Sequence, residues 1–144
     1  MDGSVTKFIE ASGSKSPDGR YIIAKKILIV EDDASFLKAI SYILEKEGYH
    51  TLTATNGLEG LTKAQQEKPD LMTLDVMLPG LDGFEVCNRL RGDPETARMP
   101  IIMLSAKGQE IDKATGLKVG ADRYLSKPVD RHTLLDAIEE MTTK

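Results

Sequence analysis

From Lys26 onward the chain repeats one alternation: a short unbroken apolar run, then a longer stretch whose apolar residues recur at helical spacing. Residues 27–30 read Ile-Leu-Ile-Val, a β-branched-rich run suited to a parallel strand buried on both faces. Phe36, Leu37, Ile40, Ile43 and Leu44 then fall on one side of a helix that Asp33 can cap and Gly48 can end. Residues 49–54 predict a second strand. Asn56-Gly57 turns into a second helix, with Leu58, Leu61 and Ala64 on one side.

Pro69-Asp70 opens a third strand through residues 71–74, which leads into a loop rich in Pro, Gly and Asp over residues 75–83. Phe84, Val86, Cys87 and Leu90 predict the next helix. Pro100 precedes a fourth strand at residues 101–104. A weaker helix follows over 108–119, because Gly108 and Gly116 would each lower its propensity by about 1 kcal/mol relative to alanine. Residues 121–125 predict a fifth strand, and Asp130 can cap a last helix carrying Leu134, Leu135, Ala137, Ile138 and Met141.

Strands alternating with helices argue for a parallel sheet covered on both faces, because each right-handed crossover lays a helix over one side. The fold class is therefore α/β, a flavodoxin-like (βα)5 arrangement with strand order 2-1-3-4-5. Residues 1–24 break the pattern: a Ser-, Gly- and Lys-containing stretch lies between short apolar patches at 5–9 and 21–23. They read as a flexible extension or linker, with a small hairpin or partner-docking arm as the alternative; residues 25–144 form the folded domain.

Totals narrow the class. The 144 residues fit one compact domain plus some appended chain. A formal charge of −4 argues against direct nucleic-acid binding. No apolar run approaches the roughly 18 residues of a membrane span, and no signal-peptide pattern opens the chain, so a cytoplasmic location without membrane insertion is expected. The one cysteine, Cys87, has no partner in the chain for a disulfide.

Ligands in open α/β sheets bind beyond the carboxyl ends of the strands, near the switch in strand order. The first strand ends at Glu31-Asp32-Asp33 and the third at Asp75, so adjacent strands would bring Glu31, Asp32 and Asp75 together. Capping needs only one of the consecutive acids. Like charges so crowded oppose one another's ionisation, and a hard divalent cation such as Mg²⁺, with Mn²⁺ as the alternative, would relieve them. Ser105 follows the fourth strand and Lys127 the fifth, adding a hydroxyl and an ammonium. Asp75 could then attack phosphorus to form an acyl phosphate while Lys127 and Ser105 meet the phosphoryl oxygens.

The fragments ILIVEDD, TLDVMLPGLDGFEV, IIMLSAK and GADRYLSKP, in this order after successive strands, resemble the response-regulator receiver family over about residues 26–141. The resemblance implies a two-component phosphorelay in which Asp75 is the phospho-acceptor and Glu31 and Asp32 the acidic metal-site pair. It implies further that the Met77 backbone carbonyl also holds the metal, that Ser105 and Tyr124 form the switch, and that Lys127 binds phosphate. Met77 and Lys107 stand where the family tunes phosphoryl lifetime, and Lys127-Pro128 matches a peptide that is cis in the family. Glu31 and Ser105 replace the frequent aspartate and threonine.

The implied partners are a histidine kinase or histidine phosphotransfer protein and a downstream protein on the face of the fourth helix, fifth strand and fifth helix, with a homodimer left open. Such a switch catalyses its own phosphorylation and dephosphorylation rather than turning over a metabolite. Two other readings remain at this point. A metal-dependent phosphohydrolase would use Asp75, but Asp75-Val76-Met77 lacks the second acid of one common phosphatase motif. A phosphorylation-independent interaction module would need none of these groups.

Overall fold

The computed structural model describes residues 13–15, 21–106 and 110–143, with side chains described for 24–106 and 114–143. In chain order the elements are β1 (Gly13–Lys15), β2 (Tyr21–Ile23), β3 (Lys26–Val30), α1 (Ala34–Lys46), β4 (His50–Ala54), α2 (Gly57–Glu67), β5 (Leu71–Asp75), α3 (Gly83–Gly92), β6 (Ile101–Ala106), α4 (Glu110–Lys118), β7 (Arg123–Lys127) and α5 (Arg131–Thr142). The main sheet runs β4-β3-β5-β6-β7, all parallel, which is the expected 2-1-3-4-5 order counted from β3. Ahead of it, β1 and β2 pair antiparallel with Gly13 opposite Ile23.

Strand alternation sorts the core into two layers. Ile27, Ile29, Leu71, Ile102 and Leu104 face α1 and α5, meeting Ile40, Leu44, Leu134 and Ile138. Leu28, Val30, Met72, Leu74, Ile101 and Met103 face the other way, against Leu61 and Ala64 of α2 and Val86, Cys87 and Leu90 of α3. Each such Leu or Ile contributes about 1.5–3 kcal/mol through burial. A continuous apolar strand is therefore required, because both of its faces are dry.

Helix starts follow the sequence reading. Asp33 accepts from Ser35 and Phe36 N–H at 2.9 and 3.2 Å, Asn56 from Glu59 N–H at 2.8 Å, and Asp130 from Thr133 N–H at 3.1 Å. Two strand starts move. The pattern predicts the fifth strand at residues 121–125, yet β7 begins at Arg123, because Ala121 N–H donates to Gly116 O and Gly120 N–H to Leu117 O. Those bonds close α4 with Gly120 at φ 113°, a left-handed position open to glycine. Tyr49 likewise donates to Leu44 O beside Gly48 at φ 94°, so β4 starts at His50. Arg91 then ties the far end of α3 to this region, donating to Gly120, Ala97 and Met99 carbonyls and pairing with Asp122 at 2.9 Å.

Candidate functional site

The order switch falls between the paired neighbours β3 and β5; Asp75 ends β5, and Glu31 and Asp32 follow β3. Because alternation continues past the last apolar pair, Glu31 after β3, Asp75 of β5 and Lys127 of β7 share the parity of Ile29, Leu71 and Leu125, the α1/α5 side of the sheet. One carboxylate oxygen each from Glu31, Asp32 and Asp75 lies within 4.8 Å of the others. Glu31 is 2% exposed and Asp75 5%, whereas Asp32 is open to solvent.

Lys127 reaches into this group from β7, at the edge of the sheet. Its Nζ donates to Glu31 Oε1 at 2.6 Å and lies 3.4 Å from Asp75 Oδ2. The second Glu31 oxygen accepts the Asp33 N–H at 3.0 Å, so both of its oxygens are engaged. Burial pushes the Glu31 carboxyl above its ordinary range, with Asp75's charge adding to the rise and the Lys127 and Asp33 hydrogen bonds opposing it. For Lys127, burial favours the neutral amine, but the Glu31 hydrogen bond and the charges of Asp75 and Glu31 outweigh it and raise its pKa.

Counted formally, three carboxylates and one ammonium leave two negative charges, the amount a divalent cation balances. The three donors are all hard oxygens within 4.8 Å of one another, the kind of set that Mg²⁺ takes. The donor set therefore fits Mg²⁺ chemically.

Ser105 occupies the opposite parity. It is 1% exposed, one residue past Leu104, which is in register with Asp75 and accepts Val76 N–H at 3.1 Å. Tyr124, half-buried beside Met103 in register, shares that second face with it. The structure thus gathers Glu31, Asp32, Asp75 and Lys127 in one cluster, with Ser105 near the end of β6 and Tyr124 on β7 at the opposite strand parity. Met77 sits at the rim, 66% exposed. The Lys127–Pro128 peptide is cis, as the resemblance implied. The expectation for Lys107 lies outside the described residues.

Two residues at the site escaped the sequence reading. Phe36, on the apolar stripe of α1, packs against the α1/α5 core and also holds its ring centroid 4.5 Å from Lys127 Nζ. Its position in the first helical turn after the acidic pair was the available signal. The sequence places Gly83 at the end of a loop, but a Cβ there would stand 2.3 Å from the Asp75 carbonyl oxygen. Only glycine lets α3 approach the backbone of Asp75 so closely.

The sequence profile of the response regulator receiver domain matches residues 27–139. The chain is 53% identical over 104 residues to the alkaline phosphatase synthesis transcriptional regulatory protein PhoP of Bacillus subtilis, covering 72% of this chain and 42% of that protein. It is 44% identical over 113 residues to Protein PilH of Pseudomonas aeruginosa, covering 78% and 93% respectively. The chain spans about half the length of four curated relatives, the Bacillus protein among them. Among solved structures, it superposes with a TM-score of 0.79 and 28% identity on the receiver domain of the sensor histidine kinase PA1611 from Pseudomonas aeruginosa, covering 84% of this chain and 99% of that one. That structure has a magnesium ion coordinated in the active site cleft.

Proposed function

Since the chain belongs to the response-regulator receiver domain family, we propose that Asp75 accepts a phosphoryl group from a histidine kinase or histidine phosphotransfer protein and that its arrival switches protein binding. The observation that carries this reading is the Lys127 ammonium held 3.4 Å from a buried Asp75 carboxylate beside two further acids. Lys127 thus stands where it can meet an incoming phosphoryl oxygen beside the Asp75 carboxylate.

One Asp75 oxygen forms a bond to phosphorus as the donor's phosphorus–nitrogen bond breaks; the electron pair leaves with the donor imidazole, which takes up a proton from solvent. Glu31, Asp32, Asp75 and the Met77 backbone carbonyl would hold Mg²⁺, with Mn²⁺ as a substitute, and the bound ion would offset charge on the phosphoryl oxygens. Lys127 meets one of those oxygens. Ser105 meets another, and its movement opens space on the second face into which Tyr124 turns.

The downstream partner would then read α4, β7 and α5, either a different protein or a second copy of this chain. Residues 25–144 would act as the switching domain, with 1–24 as an extension, in the cytoplasm. No described helix is long and apolar enough to cross a membrane. Met77 and Lys107 would tune how long the phosphoryl group persists.

Incubation with Mg²⁺ and acetyl phosphate tests this reading. The protein should gain an acid-stable, alkali-labile phosphoryl group that is absent from Asp75→Asn. Folded, metal-loaded protein that takes up nothing from a small donor or a histidine kinase would overturn it.

A further inference from the structure

We propose that Phe36 is a positioning residue for phosphoryl uptake, its ring face holding the Lys127 ammonium beside Asp75. The inference rests on the phosphoacceptor reading above. Lys127 Nζ lies 4.5 Å from the ring centroid, well inside the roughly 6 Å over which a ring face attracts a cation. The ammonium is thus bounded by Phe36 from α1, Glu31 from β3 and Asp75 from β5.

The ring contributes something neither carboxylate can. Glu31 and Asp75 both belong to the candidate metal cluster, so a bound cation competes with Lys127 for their oxygens. Phosphoryl transfer would also consume one Asp75 oxygen. The ring has no charge to be neutralised and no oxygen to be claimed, so its hold on Lys127 survives both events. A flexible lysine stem otherwise samples many rotamers, which the ring contact restricts.

Phe36 is itself fixed. Its N–H donates to Asp33 Oδ1 at 3.2 Å in the α1 cap, and its half-buried ring packs on the α1/α5 layer. It also covers Lys127, whose side chain is 22% exposed, so water competes less for the ammonium.

The test places mono-, di- and trifluorinated phenylalanine at position 36, which preserves ring shape while draining electron density from its face in steps. In metal-free protein without donor, the Lys127 ε-methylene protons should show an upfield ring-current shift in NMR spectra, retained through the series and lost in Phe36→Leu. With Mg²⁺ and acetyl phosphate, uptake should slow in steps to a total of about 2- to 5-fold, the size of an ordinary cation–ring contact, and Phe36→Tyr should restore the rate. Normal uptake with a flat fluorinated series, or unshifted Lys127 protons in the parent protein, would overturn the positioning role alone. Absence of uptake in the parent protein despite the ring-current shift would overturn the phosphoacceptor reading, and the positioning role with it.

Discussion

Glu31 and Lys127, 96 positions apart in the chain, meet at 2.6 Å with the carboxylate only 2% exposed. Removing the ammonium leaves a buried carboxylate without its cation, which destabilises a fold by about 3 kcal/mol when the pair is well buried. Lys127→Met should therefore lose about 2–3 kcal/mol in urea unfolding in the presence of a chelator. The same change frees Glu31 Oε1 and removes a positive charge, so Mg²⁺ affinity should rise about tenfold by calorimetric titration. Stability and metal affinity move in opposite directions, which a simple loss of folding would not produce.

Thr73 gives a prediction of the other sign. Its hydroxyl is buried at 1% exposure on the central strand, with no hydrogen-bond partner among the described residues, in register with Ile29 and Ile102. A buried hydroxyl left unpaired costs about 1–3 kcal/mol. Thr73→Val keeps the shape and removes that penalty, so it should stabilise the protein by about 1 kcal/mol in chemical denaturation. A destabilised valine variant would show that the hydroxyl is satisfied in solution.

Gly116 lies so close to the sheet that a Cβ would stand 2.9 Å from both Met103 Sδ and Tyr124 Cδ2. Alanine gains about 1 kcal/mol of helix propensity there, but overpacking costs about 1–3 kcal/mol. Gly116→Ala should lose about 1 kcal/mol net and shift the Tyr124 ring resonances. Equal or greater stability with unchanged Tyr124 resonances would mean that α4 has room to move away.

The pH dependence can be read at α2. Glu59 Oε1 accepts the Thr55 N–H at 2.7 Å and pairs with Lys63, and the backbone hydrogen bond is the main reason its pKa falls below the ordinary 4.5. A lowered carboxylate stabilises the folded state above its unfolded pKa and loses that contribution as pH falls through the folded value. At 39% side-chain exposure the gain is screened to about 0.5 kcal/mol. Glu59→Gln should be less stable than the parent by that amount at pH 7, with the difference shrinking as the pH falls through the folded-state pKa and the carboxyl protonates, in parallel denaturations.

The main elements and the acidic cluster were legible because they rest on local signals. Apolar runs marked β3, β5 and β6, and acids at strand ends converged once neighbouring strands paired. Boundaries at β4 and β7 were not legible to the residue, since Tyr49 and Ala121 look like strand starts but spend their N–H groups closing helices. Gly116 shows the same limit in another form. In sequence it reads as a weak point in a helix, and only tertiary packing shows that the missing side chain lets α4 seat against Tyr124. Phe36 was placed on the correct helix, but its contact with Lys127 joins residues 91 positions apart that no local pattern links.

Leu104 and Ser105 are consecutive in β6, yet one packs in the α1/α5 layer and the other has the parity of the opposite face. The sheet is thereby a dry partition: Glu31, Asp75 and Lys127 stand on one side, Tyr124 and the glycine-thinned flank of α4 on the other. If Asp75 accepts a phosphoryl group as proposed, the signal need not burrow through that partition, since Ser105 stands at its rim, one peptide past Leu104. On that reading the chemistry and the surface that reports it can diverge independently, provided that rim keeps a hydroxyl.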